Sequence, residues 1–149
     1  MLMLVLASDP THAVGETVYD EKADARKQIE AAIRQASEKG KPARNIVLVF
    51  GANWCQDCRA LAEQMRQGEL AALIEREFVL VKIDVGRGEK NLEVATKYGV
   101  PVENGIPALA VLDAKGKLLY AQNQGQFANA RRMSYESIKA FFEQWKPSP

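Results

Sequence analysis

The chain has 149 residues, 47% apolar and 26% charged, with a formal net charge of +1. That balance fits one globular domain plus a short extension, and it removes any broad electrostatic case for nucleic acid. No apolar run approaches the roughly 18 to 20 residues a spanning helix needs, and two cysteines are too few for a disulfide-stapled mini-protein.

Residues 1–18 read as a leader or loose extension ahead of a domain over 19–149. The short apolar run Leu2–Ala7 and the Thr11-His12-Ala13 after it lack a basic start. They resemble the tail of an export signal more than a complete one. This favours a periplasmic or otherwise exported location, with the cytoplasm as the alternative. Asp20 is expected to cap a helix running to about Lys39, because Ala25, Ile29, Ala32, Ile33 and Ala36 fall on one face. Gly40, Lys41 and Pro42 end it.

Ile46–Phe50 is a continuous apolar run, suited to a strand covered on both faces. A helical pattern takes over from Cys55 to about Gln67, and Gly68 separates it from a shorter helix over Glu69–Arg76. Phe78–Val85 is a second buried strand, and Asn91–Tyr98 is helical with Gly99 at its end. Val100–Pro107 is a loop and Ala108–Asp113 a third strand. A tight turn at Asp113–Gly116 leads into a hairpin partner over Lys117–Gln122. Asn123–Arg132 is polar and expected to loop. Ser134 caps a last helix whose Ile138, Phe141, Phe142 and Trp145 form an apolar stripe, stopped by Pro147. The alternation predicts parallel strands with right-handed crossovers, an antiparallel hairpin edge, and one mixed sheet between helical layers.

The chemistry concentrates in Trp54-Cys55-Gln56-Asp57-Cys58. Cys55 lies just past a strand end and at a helix start, where free N–H groups and the helix dipole favour a thiolate. Cys58 lies one turn on, on the same side. A disulfide between them closes too short a loop to act as a staple. A metal site would need further ligands, and only His12 is on offer. The pair therefore reads as redox-active: Cys55 attacks a disulfide and Cys58 resolves the mixed disulfide. Gln56 and Asp57 tune it. Asp57 is negative and opposes the Cys55 thiolate, which places the couple towards the reducing end of a scale from about −270 to about −120 mV. Trp54 is either packing or a substrate platform. Arg131-Arg132, Arg59 and Arg66 read as solvated charge, and Asp84 as a loop cap.

Gly105-Ile106-Pro107, about 50 residues later and ahead of a hairpin and a final helix, completes a combination that resembles the thioredoxin superfamily over roughly residues 20–146. The Tyr19-Asp20 opening and GANWCQDCR resemble bacterial thioredoxin-like proteins, often exported and sometimes labelled disulfide isomerases. The resemblance implies a three-layer α/β/α sandwich with a mixed central sheet, Cys55 as nucleophile and Cys58 as resolving thiol. It implies that Pro107 is a cis-proline facing the pair and that Trp54 flanks the site. Ile106 would then offer its backbone to a bound peptide. The expected activity is thiol–disulfide oxidoreduction on protein or small-thiol disulfides. The dithiol serves as its own cofactor, a separate thiol protein supplies electrons, and the working unit is a monomer. The sequence departs from the family pattern at several places. Val49 stands where thioredoxins carry a buried acid, and Gln56-Asp57 replaces Gly-Pro. Glu63 replaces the kinking proline. The loops at Pro101–Asn104 and Gln122–Arg132 are longer.

Overall fold

The structure is a computed structural model, and it describes residues 17–149. The expected leader up to residue 16, His12 included, lies outside the described residues. Helix α1 (Ala25–Ala36) is followed by β1 (Asn45–Gly51), α2 (Gln56–Met65), α3 (Gly68–Glu77) and β2 (Phe78–Asp84). Then come α4 (Leu92–Lys97), β3 (Ala108–Leu112), β4 (Leu118–Ala121) and α5 (Tyr135–Trp145), with short 3-10 turns at Val102–Asn104 and Ala130–Arg132.

The four strands form one sheet in the order β2-β1-β3-β4. Alternate residues of β1 feed opposite cores because successive strand side chains point to opposite faces. Ile46, Leu48 and Phe50 pack with α1 and α4 residues such as Ile29, Ala32 and Val94. Val47 and Val49 pack on the other side with Leu61, Leu73, Ile138 and Phe142 from α2, α3 and α5. Every β1 residue is buried, as its unbroken apolar run requires. On the second face Phe142 meets Phe78 and Phe141 edge to face, with ring centroids 5.3 and 5.4 Å apart.

Several expectations need correction. Asp24, not Asp20, caps α1, accepting from the N–H groups of Arg26 and Lys27. Asp20 instead closes a turn to the Lys22 N–H. The helix starts one residue after Asp24, so only that carboxylate reaches the first free donors. It ends at Ala36, where the Ser37 hydroxyl and N–H both bond back to the Ile33 carbonyl. Only β1 and β2 are parallel; β3 runs antiparallel to β1. Ala108 pairs with Phe50, so β3 begins where β1 ends and must run back away from that end. The polar loop at 123–132 is not wholly solvated. Phe127 and Ala130 are buried in the second core, and Phe127 meets Phe141 edge to face at 5.0 Å.

Candidate active site

Cys55 is the N-cap of α2, and its Sγ accepts from the Cys58 N–H at 3.1 Å. N-caps are usually short oxygen-bearing side chains that satisfy one of the free helix donors. A sulfur here takes that donor instead, so a negative sulfur is held by a real N–H as well as by the dipole. The two cysteines form a disulfide with Cα atoms 5.2 Å apart. Both are buried, and only Cys55 lines the cleft that opens above them.

That cleft has a volume of about 800 Å³. Its walls include Trp54, Leu92, Val102, Ile106 and Arg131. The Ile106–Pro107 bond is cis, and Cys55 Sγ lies 3.6 Å from the Ile106 carbonyl oxygen. Gly105 precedes it at φ 126°, where a Cβ would sit 2.6 Å from that of Ala128. A glycine is thus what lets the long 123–132 loop close against the proline turn. Trp54 is half exposed. Its indole N–H donates to the Gly86 carbonyl at 2.8 Å, and the Arg87 guanidinium lies 4.9 Å from the ring centroid. It is held as an outward ledge of the cleft rather than packed into the core.

The largest departure from the sequence reading concerns Arg131, which is not simply solvated charge. Its backbone N–H and its Nε donate to Asp57 Oδ1 at 2.9 and 3.2 Å, and its Nη1 donates to Gln56 Oε1. Asp57 therefore does not face the Cys55 sulfur as a lone negative charge. A guanidinium from 74 residues away offsets it. The only sequence signal was Phe127, a buried-type residue inside an otherwise polar stretch. It anchors the loop and aims the following turn at α2. Arg59 is exposed as expected.

A second group that residue patterns did not reveal lies beneath the pair. Tyr19 forms a small buried cluster with Ala52, Cys55 and Cys58. Its backbone is pinned by Asn53, whose Oδ1 accepts from the Val18 and Tyr19 N–H groups and whose Nδ2 donates to the Tyr19 carbonyl. Asp84, also buried, accepts from the Gly86 N–H at 3.0 Å and pairs with Lys90 at 3.3 Å. Val49, at the position of the missing acid, is sealed in the apolar second core. Among the described residues no group of three or more His, Cys, Asp or Glu could hold a metal ion, and no helix is long and apolar enough to cross a membrane.

The family model described as thioredoxin-like matches residues 24–114, a stretch that contains both cysteines and Pro107. This chain belongs to the thioredoxin-like family. The solved disulphide isomerase from Xylella fastidiosa Temecula1 is 44% identical, with a TM-score of 0.79 over 86% of this chain and 95% of that one. Probable nucleoredoxin 3 of Oryza sativa subsp. japonica is 30% identical over 94 residues, half of this chain and 20% of that protein. The chloroplastic thioredoxin-like protein HCF164 of Arabidopsis thaliana is 34% identical over 82 residues, 55% of this chain and 28% of that protein. The chain thus spans well under a third of the length of these two curated relatives. Both Tyr19 and Arg131 of this thioredoxin-like chain fall outside the matched stretch.

Proposed function

We propose that this thiol–disulfide oxidoreductase domain works as a reductase of protein disulfides and of mixed disulfides with small thiols. The observation that carries the reading is Cys55 Sγ at the start of α2, accepting the Cys58 N–H and opening onto the cleft beside the Ile106 carbonyl. Cys55 would attack as thiolate, and Cys58, one turn behind and out of the cleft, would resolve the mixed disulfide. Trp54 and Ile106 would flank the bound peptide, with Pro107 setting the turn. The dithiol is its own electron carrier, and a partner dithiol protein recharges it. An exported setting is the one this reading favours, on the strength of the apolar run Leu2–Ala7.

The reducing direction is supported by the neutral Gln56, the acidic Asp57 and the lack of a His or Lys between the cysteines. Isomerase or oxidase action is the second reading. It is favoured by the Arg131 contact, which offsets Asp57, and by the likeness to the Xylella disulphide isomerase. The equilibrium potential of the Cys55–Cys58 couple, poised in graded dithiol buffers, separates them. A value near about −270 mV is expected; one near about −120 mV would overturn the reductive direction.

Arg131→Ala should make the couple more reducing. It leaves the Asp57 charge uncompensated beside Cys55, which destabilises the thiolate and so the reduced state. The Arg131 side chain is 56% exposed and Asp57 18%, so water screens the pair and the shift should be modest, about 10–20 mV. The same titration reads it, and a shift to a less negative potential would contradict the assigned role of the contact.

A further inference from the structure

The dithiol cycle of the reductase reading, on which this inference rests, needs something to hold charge on the resolving sulfur. Cys58 must carry negative charge inside the protein, shortly before it attacks. The Cys58 N–H serves Cys55, not Cys58. Val49 offers no polar atom. Asp57 has its Oδ1 engaged by Arg131 on the outer side of α2. The buried polar group beside Cys58 is the phenol of Tyr19.

The packing around Gly51 is specific about this. A Cβ on Gly51 would lie 2.8 Å from Cys58 Sγ and closer still to the Tyr19 hydroxyl. The hydroxyl and the sulfur therefore share one small space over the end of β1, and Gly51 leaves that space open. The apolar part of the cluster is Ala52 and Cys55 with the flanking Val18 and Ile106, and the charge of Asp84 acts on the phenol from the β2 end. A phenylalanine would fill the same volume without placing an oxygen beside the sulfur. Asn53 grips the Tyr19 backbone on both its N–H and its carbonyl, so the phenol is held in position.

We propose that the Tyr19 hydroxyl donates a hydrogen bond to Cys58 Sγ when the disulfide is open, stabilising the resolving thiolate in place of the buried acid. In the mixed disulfide the Cys58 thiol gives up its proton and its sulfur attacks Cys55 Sγ. The Cys55–Cys58 bond forms, the bond from Cys55 to the substrate sulfur breaks, and the departing substrate thiolate takes up one proton. Over the full cycle the two cysteines lose two electrons and the substrate disulfide becomes two thiols. Tyr19 keeps its own proton throughout. Burial, with the negative Asp84 acting in the same direction, holds the phenol ionisation well above its ordinary range. It is thus a donor and not a base. The charged group acting on this space is Asp84, paired with Lys90 at the β2 end, while Asp57 and Arg131 pair on the cleft side.

Tyr19→Phe removes only the oxygen and keeps the packing. In a Cys55→Ser background, the Cys58 β-carbon shift followed by NMR against pH should show a titration midpoint about one pH unit higher in Tyr19→Phe than with Tyr19 intact. This arm needs no substrate, so it stands even if the reductase reading fails. In the chain with both cysteines, release of a preformed mixed disulfide on Cys55 should slow about tenfold, while the first attack by Cys55 keeps its rate. An unchanged Cys58 midpoint in a folded Tyr19→Phe would overturn the proposal and leave Tyr19 as packing. Equal slowing of both steps would also overturn it, since a merely structural role would disturb both.

Discussion

Cys55→Ser should abolish disulfide reduction, and Cys58→Ser should stop turnover after one step, with substrate covalently trapped on Cys55. The difference arises from where the two sulfurs lie. Cys55 lines the cleft and receives the Cys58 N–H, whereas Cys58 lies one turn behind it and out of the cleft. A serine hydroxyl at 55 does not ionise near neutral pH and does not attack a disulfide, so no covalent species should form. A serine at 58 leaves the attacking thiolate intact and removes only its release. The measurement is turnover of a reporter protein disulfide, followed by non-reducing electrophoresis of the reaction mixture. Trapping in Cys58→Ser and none in Cys55→Ser is the expected pattern. Unimpaired function in Cys55→Ser would show that the fold serves as a binding module and that its disulfide is structural.

Asn53→Ala should cost about 2–3 kcal/mol of stability, a large effect for one partly exposed polar side chain. Asn53 makes three hydrogen bonds to the backbone of Val18 and Tyr19, at 2.9, 2.8 and 2.9 Å. Alanine leaves two N–H donors and one carbonyl without those partners beside a buried cluster. Losing the grip also frees the Tyr19 ring to leave the space under Cys58. Urea unfolding should show a lower midpoint with an unchanged slope. In the reduced protein Cys58 should become more accessible to alkylation. A loss under about 0.5 kcal/mol would mean that water replaces all three bonds, and that the 18–19 segment is not what covers Cys58.

The legible parts of this protein were those written in neighbouring residues. The unbroken Ile46–Phe50 run required a strand with cores on both sides, and β1 has them. The apolar spacing in 25–36 and 138–145 required helices with one buried stripe, and α1 and α5 bury those faces against the sheet. Cys55 at a strand-to-helix junction required a sulfur at free helix donors, and it caps α2. Local cues were less sharp at boundaries. Asp20 was the expected cap, but α1 begins at Ala25, so Asp24 takes that place.

What only the tertiary structure decided are relations between residues far apart in the chain. The direction of β3 depends on which end of β1 the proline turn delivers it to, and both directions fit the same ALAVL run. The partner of Asp57 is Arg131 because Phe127 buries the middle of a polar loop and turns the next few residues onto α2. Tyr19 reaches Cys58 because an asparagine 34 residues later grips its backbone. Periodicity, caps and turns are short-range effects, set by backbone geometry over a few residues, so one strand of sequence carries them. Which charge offsets Asp57, and which hydroxyl lies under Cys58, depend on how loops close over a packed core, and that is fixed only when the whole sheet and its helices are assembled.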